Sequence, residues 1–213
     1  MSAMSYGALG ENAISAISLG LGAATGSWVH TGEGGLAPYH TIGEGDVIMQ
    51  IGSGIFGVRN EDGTFSWEKF KEKASNPHLR CFEIKLAQGA KIRGGHVEGS
   101  KINEEIAEIR GVAPWKTVDS PNRHNQFHDL NSLFDFIDEM RNVGGKPVGI
   151  KIVMGGPDSA DDLAKLMQET GRGPDFVTVD GSEGGSGATY QEMADTMGLP
   201  ISSGLIYCDD ALR

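Results

Sequence analysis

Apolar and polar positions along the chain follow two alternating rhythms: short β-favouring runs, and longer stretches with apolar residues three and four apart. Glu11 to Ala24, rich in Ala, Ile and Leu, predicts a helix capped by Asn12. Little before it reads as a first strand. Asp46 to Gly52, DVIMQIG, predicts a strand ending at Gln50, followed by a turn in GSGIFG and a reversal at NEDG. Ser66 to Ala74 predicts a short helix started by Ser66. From Cys81, Phe82, Ile84 and Leu86 alternate with Glu83 and Lys85, which puts Lys85 near a strand's C-terminal end and Gln88 and Lys91 in the loop beyond. Lys101 to Arg110 predicts a helix with Ile102, Ile106 and Ile109 on its apolar face and Arg110 complementing its dipole. Thr117 to Ser120 predicts a short strand. Asn131 to Asn142 predicts a helix that turns Leu133, Phe134, Ile137 and Met140 inward and closes at Gly144-Gly145. Pro147 to Met154, PVGIKIVM, predicts an apolar strand broken only by Lys151. Asp158 to Thr170 predicts a helix with Asp158 and Ser159 as capping candidates, burying Leu163, Leu166 and Met167. Phe176 to Asp180 predicts a strand leading into DGSEGGSGA; Tyr190 to Met197 a helix, Leu199 to Ser202 a short strand, and Tyr207 to Arg213 the start of a last helix.

Strand and helix thus alternate about six times, with strands apolar in the manner of parallel sheets. The fold class is α/β. A (β/α)8 barrel of the TIM type is preferred to a doubly wound sheet, because functional-looking residues recur at nearly every strand end rather than at one switch point. By that count about two strand-helix units are missing, the last ones included. The expectation is a single barrel domain over residues 1–213, a fragment of a longer polypeptide.

Composition narrows the function. There are 29 acidic and 18 basic residues, a formal net charge of -11, and no basic stripe to neutralise nucleic-acid phosphates. Cys81 and Cys208 lack metal-ligand spacing, so no metal site is expected and the compartment reads as reducing. No apolar run is long enough for a membrane span and no signal peptide is evident, which points to a cytoplasmic protein. The 32 glycines are about twice the usual share and cluster without a period, as loops that approach a ligand closely require.

Lys151 is the clearest candidate, because a lysine inside an apolar strand is costly to bury unless it meets an anion at the barrel mouth. Lys85 is placed alike, and two strand-end lysines would stabilise negative charge on a reduced flavin or hold a carboxylate. The loop from Gly181 to Gly187 has four glycines in seven residues and can cradle an anion or admit a planar ring. TGEGG at 31–35 is a flexible turn whose Glu33 reads equally as a capping, a solvated or a catalytic carboxylate. His124, in SPNRH, reads as structural in preference to an acid or base. No HExxH, P-loop or dinucleotide-binding pattern occurs.

Taken in order, MSYGALG at 4–10, TGEGGLAPYH at 31–40, QIGSGIFGVR at 50–59, EIKLAQGAK at 83–91, INEEIAEIRGV at 102–112, SPNRH at 120–124, GGKPVGIKIVMG at 144–155 and PDFVTVDGSEGGSGA at 174–188 cover nearly the whole chain. Together they resemble the FMN-binding synthase domain of glutamate synthase, especially its stand-alone relatives. The resemblance implies a (β/α)8 barrel with FMN at the strand C-termini, where reduced flavin gives hydride to the imine of 2-oxoglutarate and ammonia. It implies that Met4, Ser5, Tyr6 and Gly7 line the flavin, that Gln50, Ser53 and Lys151 contact it, and that Asp180, Gly181, Gly184 and Gly185 pack beside it. Lys85 and Gln88 with Glu33 are its catalytic candidates, and Lys91 and Arg110 its candidates for the 2-oxoglutarate carboxylates. Where the family reads Lys-Pro-Gly-(His or Glu)-Gly-Gly, this chain has KIRGGHVEG. The family's FMN-phosphate loops and three-cysteine iron-sulfur motif are not among these residues, so an iron-sulfur cluster belongs only to a longer parent. Electron-donor and ammonia-supplying domains or subunits are the implied partners, with no nucleic acid and no membrane. Two other readings stay open: an FMN oxidoreductase for another amino or 2-oxo acid, and a non-catalytic barrel fragment that self-associates as a homo-oligomer through its exposed edges.

Overall fold

The structure is a computed structural model that describes residues 1–24, 26–89, 94–185, 192 and 196–213. The N-terminal segment leads into helix α1 (Glu11–Ala23), then strand β1 (Trp28–His30), two short 3-10 turns at Gly32–Gly34 and Pro38–His40, and strand β2 (Asp46–Ile51). Helix α2 (Trp67–Ala74) starts where the Ser66 hydroxyl accepts the Lys69 N–H at 3.3 Å. Strand β3 (Leu79–Lys85) and the short strand β4 (Gly95–Val97) follow, then helix α3 (Glu104–Arg110), whose cap is Asn103 accepting the Ile106 N–H at 2.9 Å. After strand β5 (Val118–Ser120), helix α4 (Leu130–Gly144) opens on a capping box of Asp129 and Ser132 and ends at Gly145 in the left-handed conformation. Strand β6 (Val148–Val153), helix α5 (Asp161–Thr170), strand β7 (Val177–Asp180) and helix α6 (Ile201–Leu212) complete the chain.

Five strands form one parallel sheet in the order β1-β2-β3-β6-β7. Neighbours in this sheet succeed one another along the chain without reversal, so it curls as half of a (β/α) barrel and has no switch point. The two faces of the strands divide cleanly. Val29, Val47, Met49, Ile51, Phe82, Ile84, Val148 and Ile150 pack against Phe70 of α2 and against Leu133, Phe134, Ile137 and Met140 of α4 in one continuous core. Residues of opposite parity, among them His30, Gln50, Glu83, Lys85, Lys151, Thr178 and Asp180, lie on the concave face. The polar positions of these strands therefore mark the inside of the half-barrel.

Several sequence expectations are corrected. Asn12 lies inside the first turn of α1, where Gly10 occupies the cap position and supplies no side chain. The TGEGG segment is a packed turn with Gly32 and Gly34 buried. The helix expected from Lys101 begins at Glu104, because Gly99–Lys101 forms a separate 3-10 turn. β5 is not a barrel strand: it pairs antiparallel with β4 as a small two-stranded ribbon beside the sheet. Neither Asp158 nor Ser159 caps α5. Ala160 takes that position, and the Ser159 hydroxyl accepts the Gly155 and Gly156 N–H groups instead. The strand expected at Leu199 to Ser202 is absent, since α6 starts at Ile201, directly after Pro200 at its cap. Most of the helix expected over Tyr190 to Met197 lies outside the described residues. No helix among those described is long and apolar enough to cross a membrane.

Candidate functional site

The concave face carries polar side chains in two layers. The deeper one is built on Glu83, which is almost wholly buried on β3. Its Oε1 accepts from His30 Nε2 of β1 at 3.1 Å and from Gln50 Nε2 of β2 at 2.5 Å, and its Oε2 accepts the Thr178 hydroxyl of β7 at 2.5 Å. Burial pushes this carboxyl toward its neutral form, but the hydrogen bonds from His30, Thr178 and Gln50 outweigh burial and hold it below the usual carboxylate range. On β6, the strand between them, the residue in register with Glu83 is Gly149, and the Phe176 ring fills the space a Cβ there would need. Cys81, one concave position earlier, has its thiol pushed up to about 11 by burial and by the nearby Glu83 and Asp175 carboxylates, which makes it a poor nucleophile.

The shallower layer lies at the strand C-termini. Lys85 of β3 and Lys151 of β6 are in register neighbours, and each cation has a carboxylate. Lys85 Nζ donates to Glu33 Oε1 and to Gln88 Oε1, both at 2.7 Å. Lys151 Nζ stands 3.1 Å from Asp180 Oδ2, which also accepts the Gly89 N–H at 3.1 Å. Gln88 Nε2 in turn donates to the Gly185 carbonyl at 2.6 Å. Two loops from different strands are thereby strapped together over the barrel mouth. Their packing leaves no space for side chains: a Cβ on Gly89 would sit 1.6 Å from the Gly181 carbonyl oxygen, and one on Gly184 would sit 2.5 Å from the Asp180 carboxylate.

The N-terminal segment runs along one flank of this mouth. Met4 N–H donates to the His30 carbonyl at 3.3 Å, and buried His40 donates from Nε2 to the Met4 carbonyl at 3.3 Å. Ser5 lies against Gly32, where a Cβ would approach its backbone nitrogen to 2.7 Å. The Tyr6 and Tyr39 hydroxyls donate to the two oxygens of Glu105 at 2.5 Å and 2.7 Å and hold that carboxyl below its usual range. Gly7, at φ 101°, faces the Arg110 guanidinium. Arg110 is buried, donates to the Tyr6 carbonyl at 3.2 Å, lies 5.2 Å from the Phe56 ring centre, and has an Nε without a hydrogen-bond partner among the described residues.

Glu33, Lys85, Gln88, Lys151, Asp180, Gly181, Gly184 and Gly185 thus come together at the mouth, with Met4, Ser5, Tyr6, Gly7 and Arg110 on its flank. Gln50 lies a layer deeper, committed to Glu83. Ser53 donates its hydroxyl to the Pro121 carbonyl at 2.6 Å, and His124, kept neutral by burial, donates to the Lys85 carbonyl at 3.0 Å and supports the strand end. Lys91 lies outside the described residues. His30, Glu83 and Thr178 escape the sequence reading. The signal for Glu83 is the one that singled out Lys151, an ionisable residue within a strand. A concave groove of about 560 Å³ runs from Trp28 and Phe176 up to Lys151 and Asp180. At its upper end the lining is Lys151 and Asp180; Lys85, in register beside Lys151, with Gln88 and the close-packed glycine loops at the mouth, completes a donor set that fits an anionic, planar ligand.

The family model described as "Conserved region in glutamate synthase" matches residues 1–213. The chain is 55% identical over 212 residues to the glutamate synthase large subunit-like protein YerD of Bacillus subtilis, covering 100% of this chain and 40% of YerD. It is 33% identical to the archaeal-type glutamate synthase [NADPH] of Thermotoga maritima, covering 99% of this chain and 39% of that protein. With the archaeal glutamate synthase [NADPH] of Methanocaldococcus jannaschii the identity is 32%, over 99% of this chain and 38% of the relative. The chain therefore spans about two fifths of the length of these curated relatives.

Proposed function

The chain belongs to the glutamate synthase family, and from that premise we propose that it is part of an FMN-dependent oxidoreductase barrel that reduces a 2-imino acid to an amino acid. The observation that carries the reading is the pair of in-register lysines at the strand ends, each matched to a carboxylate.

FMN, when bound, supplies two-electron chemistry, giving hydride to the imine of 2-oxoglutarate and ammonia so that glutamate forms. The residues fit it: Lys151 offers fixed positive charge for the flavin's electron-rich edge, and the 180–185 loop lets a ring come close to the backbone. Lys85 and Gln88 hold a substrate carboxylate, which takes the place that Glu33 occupies on the ammonium. Glu33, so released, is the group to move a proton at the substrate nitrogen. Arg110 and Lys91 are assigned to the second carboxylate, and the orphaned Nε of Arg110 is a donor still to be satisfied. Electrons and ammonia come from other domains or subunits of a longer cytoplasmic polypeptide or complex. Substrate choice rests with KIRGGHVEG, whose departure from the family pattern favours a second reading in which another 2-oxo acid is the acceptor.

Reoxidation of the photoreduced full-length protein tests the assignment. Rapid recovery of the oxidised flavin spectrum on adding 2-oxoglutarate with ammonia is expected. Recovery with a different 2-oxo acid alone selects the second reading, and none with any 2-oxo acid rejects both.

A further inference from the structure

We propose that Glu83 is a positioning residue for Lys85, acting through the proton arrangement of His30 and the turn that carries Glu33. The inference rests on the assignment of Lys85 to the reaction, but its geometry is independent of any substrate.

The chain of contacts has one direction. The Gly32 N–H donates to His30 Nδ1 at 3.3 Å, so that nitrogen carries no proton and Nε2 carries it. Nε2 therefore donates to Glu83, whose Oε1 lies 3.1 Å away. The ring is fixed at both nitrogens, and what it fixes on the far side is the backbone of Gly32, one residue before Glu33. The Thr31 hydroxyl, which accepts the Gln50 N–H at 3.1 Å and donates to the Gly32 carbonyl at 2.8 Å, ties the same turn to β2. Gly32, at φ 62°, leaves no room for a side chain, since a Cβ there would meet Ser5 N at 2.7 Å. Glu33, delivered by this turn, accepts from Lys85 Nζ at 2.7 Å. Glu83 thus sets the histidine tautomer, the tautomer holds the turn, and the turn presents Glu33 to Lys85.

The two oxygens of Glu83 have separable duties. Oε1 serves His30 and Gln50, while Oε2, among the described residues, serves the Thr178 hydroxyl, a group that can also accept. In Glu83→Gln the amide oxygen keeps its place opposite His30 and the amide nitrogen donates to Thr178, so the arrangement survives. Glu83→Met fills the volume and leaves His30 without an acceptor.

The test is competitive acetylation of lysines in the full-length protein with limiting reagent, read by peptide mass spectrometry, together with the 15N spectrum of His30. The wild type is expected to show His30 protonated on Nε2 and bare on Nδ1, and to acetylate slowly at Lys85. Glu83→Met and His30→Phe are each expected to raise the Lys85 rate roughly tenfold over exposed Lys116, the factor set by one charge-assisted hydrogen bond. The double variant should go no further than the faster single one, and Glu83→Gln should return the rate to within about threefold of wild type. A bare Nε2, an additive double variant, or a Glu83→Gln as reactive as Glu83→Met overturns the proposal. Should Glu83→Met fail to fold, the wild-type spectrum and His30→Phe decide. None of these readouts needs turnover, so a failed substrate assignment leaves them intact.

Discussion

Gly89→Ala tests whether the two mouth loops act as one unit. Gly89 is buried at the contact between them, and its added methyl would lie 1.6 Å from the Gly181 carbonyl oxygen and 3.2 Å from Gly184 N. Both obstacles are backbone, so no side chain can swing aside. Ordinary contact distance requires the loops to part by on the order of 2 Å. That separation exceeds what the Gly89 N–H to Asp180 bond at 3.1 Å and the Gln88 to Gly185 bond at 2.6 Å tolerate. The first goes to a carboxylate and the second joins neutral, more exposed groups, which together puts the loss at roughly 2–4 kcal/mol. For a domain of this size that corresponds to a fall in Tm on the order of 10 °C. Functionally the change frees Asp180 and Gln88 at once and so disturbs the partners of Lys151 and Lys85 together. Calorimetry and flavin titration of the full-length variant should therefore show a lower Tm and an FMN affinity weakened at least about tenfold. Wild-type values of both would refute the coupling of the loops. Gly20→Ala is the control: the site is exposed in α1 with nothing within 4 Å of its Cβ among the described residues, and the change should stabilise by about 0.5–1 kcal/mol.

Two further predictions follow from buried histidines and from a cap. Burial lowers the pKa of His40, against its hydrogen bonds to Met4 and Ala37, and lowers that of His124. Below the ordinary value of 6.5 the unfolded chain binds protons that the folded chain refuses, so these two groups make stability fall from about pH 6.5 downward and leave it flat above. His96, raised by exposed Asp119 and Glu98, opposes them but is screened by solvent. Urea midpoints measured from pH 8 to 5 should therefore decline, and a rise across that range would contradict the assignment. Ser66→Ala removes the acceptor for the Lys69 N–H and should cost about 1 kcal/mol by urea denaturation; an unchanged midpoint would show that α2 does not depend on this cap.

What the sequence reveals depends on how much of each signal is local. Lys151 and Lys85 are legible because a charge within a strand contradicts its neighbours, and α2 is legible from its cap and period. β1 is not, since Trp28–His30 has three residues and its pairing with β2 is decided at a distance. β5 is recognisable as a strand, yet its exclusion from the barrel depends on pairing with β4, which no periodicity encodes. α6 is misread at its start because Leu199 to Ser202 is short and β-like, whereas the helix is set by Pro200 and by packing of Gly204 and Cys208 beneath it. Glu83 is hidden by its own pattern. Alternation with Phe82 and Ile84 reads as an ordinary polar face, and only the curl of the sheet turns that face inward upon His30, Gln50 and Thr178.

On the function proposed here, the strand-end mouth built by Lys85, Lys151, Asp180 and the 180–185 loop holds a flavin. The decisive measurement is FMN titration of the full-length protein, followed by the visible flavin spectrum and tryptophan fluorescence. Saturable binding with a perturbed spectrum, weakened strongly in Lys151→Ala while the fold is retained, is the predicted result. Wild-type FMN binding in Lys151→Ala, or none in the wild type, would contradict it.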